Sequence, residues 1–526
     1  MLYQWKVLIV VIVLTTVSFM VARPVMCRFM SAADFAVRRN VWLGINTAAF
    51  LIPNYWAYVL AASLFFVYGV KRDSNPAALY VFLLLAMTPV GLNLPTLGVI
   101  KKLFVLNHFR LLALVLLVPL AWMHWRGKSA HAKALPVANP ANPADRAIRA
   151  ADVLILAYAA LQLVLLMPYE SSTASLRRLL LLALDMLLPY YVLSRTCRTR
   201  EALTDVMAAF TLSLFLLVPL AAYEVARHSL LYPVLQETWG TGQVLNYLER
   251  AGYLRAQVTA GHSIVLGYAM AMAMGFWLYL QSQVPARGWR LLGFAGLIVG
   301  LALTLARGPW LGALLVVFVF LVLSPNAFTR LVKASGWLLA LAIVSLVSPF
   351  GKTIIASLPF IGTLDEGTID YRKQLAEQSW RLIQLNPLFG TPSYLTYLED
   401  LRQGQGIIDM VNAYASIALS FGLVSLFVFL SFFLIIIWRC IKAMWALSIR
   451  DTDMNLMGAS IVASMVGGLA MIATVNLYLS IAPFTWALAG LATAFLVVAR
   501  EELRDELAVL PDGGAVADLQ ASSLGR

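Results

Sequence analysis

Apolar segments long enough to cross a lipid bilayer follow one another along almost the whole chain, with short polar loops between them. A helix needs about 20 apolar residues to span roughly 30 Å of hydrocarbon. Hydrophobic residues make up 61% of the 526 residues and charged residues 12%, which excludes a cytosolic enzyme or a disordered scaffold. Because lipid offers no hydrogen bonds to the backbone, each span must be a helix or part of a closed barrel. The sequence predicts an all-α polytopic membrane protein.

This length criterion predicts about fourteen transmembrane helices. They lie near residues 5–22, 50–70, 77–92, 104–123, 151–167, 179–194, 204–224, 261–280, 289–306, 308–323, 335–349, 413–437, 456–474 and 481–499. The chain then divides into N-terminal helices (1–224), an outer loop (225–260), central helices (261–349), a large outer loop (350–412), C-terminal helices (413–499) and a cytoplasmic tail (500–526). The sequence shows no internal repeat, and the segment 5–22 is expected to be an anchor rather than a cleaved signal.

The net charge of +13 comes from Lys and Arg in the loops, so it is expected to set topology rather than to bind nucleic acid. A bias of basic residues toward the inner side is clear only in the last third of the chain. There the predicted inner segment 439–450 contains basic residues and the predicted outer loop 475–480 contains none. We expect both termini to be cytoplasmic, which places Lys6 and Arg72 inside and Arg38 outside. The three cysteines fall in different segments, so no disulfide framework is expected.

One amphipathic helix is predicted inside the large outer loop. Tyr371, Leu375, Gln378 and Leu382 fall on one helical stripe, and Asn386-Pro387 ends the run. We expect this helix to lie on the outer surface of the membrane.

The turn Ala306-Arg307-Gly308-Pro309-Trp310 places a cation and two helix breakers between two apolar runs. A charge at mid-bilayer costs about 2.5–3.5 kcal/mol on insertion scales, so Arg307 must lie at an interface or in a wet cavity. Two interpretations stay open: a tight outer turn with a snorkelling Arg, or a cation presented to an anionic headgroup.

Other polar residues stand near predicted helix ends. Arg255 and His262 precede the 261–280 span, where a helix N-terminus favours anions. His262 alone would more often be an interfacial or packed residue. Asp185, inside an apolar run, either neutralises a buried Arg or caps a local kink. The remaining candidates in and after the large loop are Asp370, Arg372, Arg381, Asp409, Asn412 and Tyr414.

Over about residues 250–425 the chain resembles the O-antigen ligase and O-antigen polymerase superfamily. The resemblance rests on Arg255 with a Gly261-His262 element, the turn at 306–310, an outer loop ending in Asn-Pro-Leu-Phe-Gly at 386–390, and the Asn-x-Tyr at 412–414. Ligases of this superfamily have a His immediately before that Asn, whereas this chain has Val411. The departure is similar to the exopolysaccharide polymerase branch.

The resemblance implies a GT-C-like membrane glycosyltransferase, with a helical periplasmic loop over a lipid-open cleft in the bacterial inner membrane. It implies polymerisation of polyprenyl-diphosphate-linked oligosaccharide repeat units at the periplasmic face, without metal or cofactor. Alternatives are an O-antigen ligase or a lipid-linked glycan flippase; a flippase would favour two similar halves. Expected partners are the lipid-linked oligosaccharide, membrane lipid, a flippase and a chain-length regulator.

The resemblance also gives the candidate residues roles. Arg307 and Arg372 would hold the diphosphate of the donor, with Arg255 supporting one of them. His262, Asp370 and Asp409 are candidates for the base that activates the acceptor hydroxyl. The residues expected to contact the rest of the substrate are Trp310, Arg381, Asn412 and Tyr414.

Overall fold

The computed structural model of the protein describes residues 2–94, 104–126, 143–241, 247–250, 252–325, 327, 329, 332, 366–402, 408–447, 452–477 and 480–508. Its α-helices are Leu2–Met26, Ala32–Leu51, Tyr55–Arg72, Pro76–Leu83, His108–Leu112, Val118–Trp125, Pro143–Leu166, Ser172–Leu182, Leu188–Thr196, Arg200–Arg227, Pro233–Trp239, Ser263–Leu280, Arg287–Leu303, Arg307–Leu323, Glu366–Leu385, Ala413–Leu447, Thr452–Ile472 and Ala482–Ala508. Two short antiparallel hairpins pair Gly91–Asn93 with Val105–Asn107 and Glu249–Arg250 with Tyr253–Leu254.

Eight helical segments in the described part of the chain are long and apolar enough to cross a membrane. They are Tyr3–Met26, His108–Trp125, Ile148–Leu166, Arg200–Arg227, Ser263–Gln283, Ala413–Leu447, Thr452–Ile472 and Ala482–Arg504. An all-α membrane protein is therefore confirmed, while the number of fourteen spans and the GT-C-like class stay predictions. The predicted span 335–349 lies outside the described residues.

The Ser263–Leu280 helix is the centre of the bundle and is buried along nearly its whole length. It packs against the Arg200–Arg227, Arg307–Leu323 and Thr452–Ile472 helices. Small residues allow the close approach: a Cβ added at Gly267 would lie 2.8 Å from the Cβ of Pro309. In lipid, such small-residue contacts are a main source of helix association.

The Ala32–Leu51 helix corrects the predicted topology. Its Arg38 is fully buried and donates from Nε to Asp73 at 2.8 Å, and the same guanidinium also binds Asp205. Asp73 follows Arg72, so the prediction that Arg38 and Arg72 lie on opposite sides of the membrane is wrong. The Tyr3 hydroxyl bonds Ser229 Oγ at 3.1 Å, beside the loop predicted to be outside. Tyr3 and the 225–260 loop therefore lie at the same end of the bundle, so the prediction that they lie on opposite sides of the membrane is wrong.

The predicted span 77–92 is also corrected, because its helix ends at Leu83 and a hairpin strand begins at Gly91. Pro89 offers no N–H, and the residue before a proline disfavours helical backbone. A Cβ at Gly91 would lie 2.3 Å from the carbonyl oxygen of Leu106, so the hairpin requires glycine at this position.

Two π-helical segments interrupt neighbouring helices at the same relative position. Ala113–Leu117 and Ala183–Leu187 each end two residues before a proline, Pro119 and Pro189 respectively. Because proline offers no N–H and crowds the carbonyl four residues back, an ordinary α turn is disfavoured there, and the chain takes the wider turn. Asp185 lies in the second segment and pairs with Arg110 at 3.0 Å. The prediction that Asp185 neutralises an Arg is confirmed.

Candidate active site

The large loop contributes the predicted amphipathic helix, observed as Glu366–Leu385. Leu375 and Ile383 are buried on its inner face. Tyr371 fastens the helix to the start of the next span, because its hydroxyl donates to the Asp409 carbonyl at 3.1 Å and accepts from the Asp409 N–H at 3.0 Å. The predicted helix, and its end before Asn386-Pro387, are confirmed.

The loop 386–391 is joined to a break in the Ala413–Leu447 helix. Gly422 has φ 77° and ψ 176°, which interrupts the helical hydrogen bonds. The freed N–H of Leu423 donates to the Pro387 carbonyl at 2.7 Å, and the Thr391 N–H donates to the Leu419 carbonyl at 2.6 Å. A Cβ at Gly422 would lie 2.0 Å from the carbonyl oxygen of Leu388. The Asn-Pro-Leu-Phe-Gly motif at 386–390 therefore forms one structural joint with the break at Gly422.

A cavity of about 260 Å³, called here the loop cavity, lies between the loop helix and the bundle. Arg372 and Trp380 line it from the loop helix, Asn412 from the start of the next span, and Thr474 from the end of the Thr452–Ile472 helix region. Val411, the residue at which the chain departs from the ligase pattern, is also on this wall. The cavity thus brings Arg372 and Asn412 together.

Arg307 begins a helix that touches the wall of the loop cavity. A Cβ added at Gly308 would lie 2.4 Å from Oγ1 of Thr474, so the first turn of the Arg307–Leu323 helix is in close contact with a lining residue. The cap residue Ala306 gives this helix start no side-chain hydrogen bond. Arg307 itself is half-buried.

The turn before Arg307 is held by two arginines of the preceding loop. Arg255 Nε donates to the Thr304 carbonyl at 3.2 Å, and Arg250 Nη1 donates to the Leu305 carbonyl at 2.7 Å. Leu305 has φ 47°, a left-handed conformation that is costly for a branched side chain. The contacts with Arg250 and Arg255 therefore stabilise the backbone two residues before Arg307.

Glu224 holds this arginine loop in place, and the sequence interpretation missed it. Its side chain is buried in the last turn of the Arg200–Arg227 helix. Oε2 accepts the N–H groups of Gln257 at 2.9 Å and Val258 at 3.0 Å, while Oε1 accepts that of Leu231 at 3.0 Å. The sequence feature that could have indicated Glu224 is a carboxylate inside an apolar run, the same feature that drew attention to Asp185.

His262 caps the N-terminus of the Ser263–Leu280 helix. Its Nδ1 accepts the N–H of Ile264 at 3.1 Å. Burial, and then the positive charge of Arg255, lowers the pKa of His262 from 6.5 to about 4. The ring is therefore neutral at physiological pH and carries its proton on Nε2, so it presents a hydrogen-bond donor rather than a base.

Asp409 lies beside the loop cavity with Arg372 as its charged neighbour. Loss of solvent raises the pKa of the Asp409 carboxyl above its usual value, and the Arg372 charge opposes that rise. A carboxylate whose pKa is moved toward neutrality is better matched to proton transfer than an ordinary aspartate. Which of the three predicted candidates, His262, Asp370 and Asp409, acts as the base stays a prediction.

The cavity lining contains two of the ten predicted site residues, Arg372 and Asn412. The other eight stand outside it: Arg255, His262, Arg307, Trp310, Asp370, Arg381, Asp409 and Tyr414. Tyr414 donates to the Leu469 carbonyl at 2.7 Å, and Trp310 Nε1 donates to the Leu301 carbonyl at 3.1 Å, so both groups hold neighbouring backbone. Asp370 and Arg381 are exposed on the loop helix. Asn412 lines the cavity, but its Oδ1 also accepts the N–H groups of Tyr414 and Ala415, which makes it the helix cap.

Three helices begin at this end of the bundle, at Ser263, Arg307 and Ala413. Each helix N-terminus carries a partial positive charge of roughly half a unit. Arg372 on the cavity wall and Arg307 at the start of its helix add positive charge at this end of the bundle, and Asp409 adds negative charge near Arg372. Such an arrangement suits a multiply charged anion such as a diphosphate.

These features define an all-helical, multi-pass membrane protein with a cavity, lined by Arg372, between the loop helix and the bundle. Residues 292–430 match the family model described as O-antigen ligase. This match confirms the resemblance to the O-antigen ligase and polymerase superfamily, and it covers the Arg307 turn, the loop helix and the start of the 413–447 helix. No curated protein gives a match to the chain.

Proposed function

We propose that the protein is a glycosyltransferase that polymerises polyprenyl-diphosphate-linked oligosaccharide repeat units at the periplasmic face of the bacterial inner membrane. The observation that carries this proposal is the contact between Gly308 and Thr474, because it joins the helix beginning at Arg307 to the cavity lined by Arg372. The O-antigen ligase match over the same residues supports a transferase of lipid-linked glycans.

In this reaction an acceptor hydroxyl attacks the anomeric carbon of the donor sugar. The bond between that carbon and the phosphate oxygen breaks, and the leaving polyprenyl diphosphate keeps the electron pair. Arg307 and Arg372 stabilise its negative charge, and Arg255 supports the Arg307 turn. Charge-assisted hydrogen bonds are worth about 1.5–3 kcal/mol each. Two arginines would then supply about 3–6 kcal/mol, or roughly two to four decades in rate.

Asp409 receives the proton of the attacking hydroxyl in this proposal. His262 donates from Nε2 and orients an oxygen of the donor or acceptor. The side-chain amide of Asn412 faces the same cavity and positions a sugar hydroxyl. No metal or cofactor enters the mechanism, since fixed guanidinium groups and helix N-termini provide the electrostatic stabilisation.

Ligase activity is the second candidate, and the description of the matching family favours it. Val411 argues for the polymerase, since it lines the cavity at the position where ligases have a histidine. An apolar side chain there cannot accept a proton or orient a second kind of acceptor through a hydrogen bond.

The test is reconstitution of the purified protein in lipid with host lipid-diphosphate repeat units, a metal chelator and no ATP. A ladder of repeat multiples that disappears in Arg307→Ala would support the polymerase. Arg307→Lys is the matched variant. It should also give little of the product ladder, because an ammonium cannot make a bidentate contact with phosphate. A normal ladder in Arg307→Ala would refute the proposal, and transfer of one glycan to a different acceptor would identify a ligase.

A further inference from the structure

A second cavity, of about 350 Å³, lies on the other side of the first turn of the Ala413–Leu447 helix. We call it the membrane cavity. Ala413 and Ser416 line it, whereas Asn412 and Ala415 line the loop cavity. The two cavities are therefore separated by one helix, whose diameter with side chains is about 10–12 Å.

The polar part of the membrane cavity is cationic. Its lining contains three guanidinium groups and two carboxylates, from Arg110, Arg177, Arg178, Glu170 and Asp185. Arg110 pairs with Asp185 at 3.0 Å and Arg178 pairs with Glu170 at 2.7 Å. With three guanidinium groups and two carboxylates, the lining has a formal charge of +1.

The remainder of the lining is apolar and aromatic. Leu181, Phe421 and Trp486 contribute to it, and the exposed surface near the cavity carries Leu176 and Leu179. Charge at one part and apolar walls at the other fit an amphipathic molecule with an anionic head. A lipid that carries phosphate in its headgroup has this combination of charge and apolar chain.

The two π-helical segments lie beside this charge cluster. Asp185 is inside one of them, and Arg110 is one turn before the other, Ala113–Leu117. π-Helical turns occur often at functional sites because they re-aim single side chains. Here both interruptions are located where the Arg110–Asp185 pair faces the cavity.

We propose that the membrane cavity binds the diphosphate headgroup of a second lipid-linked glycan, the acceptor, while the loop cavity binds the donor. This inference rests on the proposed function, because a reaction that joins two lipid-linked glycans must hold two headgroups at once. The single helix between the cavities places the two headgroups close enough for the acceptor sugar to reach the donor.

The experiment measures binding of undecaprenyl diphosphate, without sugar, to the purified full chain in phosphatidylcholine nanodiscs. The wild type should bind two equivalents. Ser416→Trp fills the membrane cavity and should bind one equivalent. The matched variant Ala415→Trp, on the other face of the same turn, fills the loop cavity instead and should also bind one equivalent. A double variant Arg177→Ala/Arg178→Ala should weaken one of the two equivalents by about ten- to a hundredfold. The exposed Arg227→Ala is the control and should bind as the wild type does.

Binding of a single equivalent by the wild type, or of two by both the Ser416→Trp and the double Arg variant, would overturn the inference. Displacement of the second equivalent by phosphatidylglycerol at equal concentration would assign the cavity to phospholipid and also overturn it. The proposed function fails separately, on a normal product ladder in Arg307→Ala, and the binding stoichiometry can still be measured in that case.

Discussion

Replacement of Glu224 tests whether one buried carboxylate holds the loop that carries Arg255 and His262. Its two oxygens accept three backbone N–H groups at 2.9–3.0 Å. A glutamine has one acceptor oxygen, so Glu224→Gln can keep the bonds to Gln257 and Val258 and must turn its amide N–H₂ toward the Leu231 N–H. Glu224→Ala leaves all three N–H groups without this acceptor.

The magnitudes follow from the number of N–H groups that lose their acceptor. Each buried donor without an acceptor costs about 1–3 kcal/mol. Glu224→Gln should therefore destabilise the loop by about 1–3 kcal/mol, and Glu224→Ala by up to about 3–9 kcal/mol. The first value corresponds to roughly 5- to 150-fold faster amide exchange in the loop.

Hydrogen–deuterium exchange of peptides covering residues 252–262 and 229–233 measures these effects directly. The exposed Glu237→Gln is the matched control, and its exchange should equal that of the wild type. Transfer activity should fall in the order wild type, Gln, Ala, because the Arg307 turn loses the support of Arg255. Equal exchange rates in all variants, or a Gln variant as severe as Ala, would refute the reasoning.

Three further predictions concern folding, packing and pH. Arg38→Met leaves Asp73 buried without its cation, so thermal unfolding in detergent should show a loss of about 3–5 kcal/mol, and unchanged melting would contradict the buried pair. Gly308→Val forces a side chain against Thr474 and should reduce transfer at least about tenfold, with partial recovery when Thr474→Ala is added; full activity of the single variant would exclude this close contact. Transfer should be lost as pH falls through the raised pKa of Asp409, since the carboxyl then binds the proton it must accept; an unchanged acid limb in Asp409→Asn would assign the base elsewhere.

Much of the helix pattern could be predicted because apolar length is a local property of sequence. The loop helix is an example, since its stripe and its terminating Asn386-Pro387 stand within one short segment. The Ala32–Leu51 helix was missed because Arg38 interrupts its hydropathy. Its carboxylate partners are 35 and 167 residues further along the chain, and no local pattern shows that they neutralise the charge.

The sequence motifs named the cationic residues of the candidate site, but they did not show which groups the polar side chains hydrogen-bond. Arg372 and Asn412, two of the residues named from the motifs, line one cavity. The hydroxyl of Tyr414 and the indole of Trp310 instead bind backbone carbonyls, because a buried donor must find an acceptor whatever the motif implies. Glu224 could be identified as a buried carboxylate, but the amides it accepts lie in a loop without regular structure.

The joint between residues 387–391 and Gly422 has a consequence for engineering chimeric proteins. The break in the Ala413–Leu447 helix is hydrogen-bonded to the backbone of this protein's own loop. A loop taken from a relative would have a different backbone conformation and would not match these bonds. The exchanged unit must therefore extend from the loop helix through Val424, the last residue whose N–H donates to the loop. A graft ending at the membrane surface would leave amides of a transmembrane helix without acceptors in an apolar environment, where each costs several kcal/mol. Exchange of the large loop in this protein is thus limited by a hydrogen-bond boundary inside the Ala413–Leu447 helix.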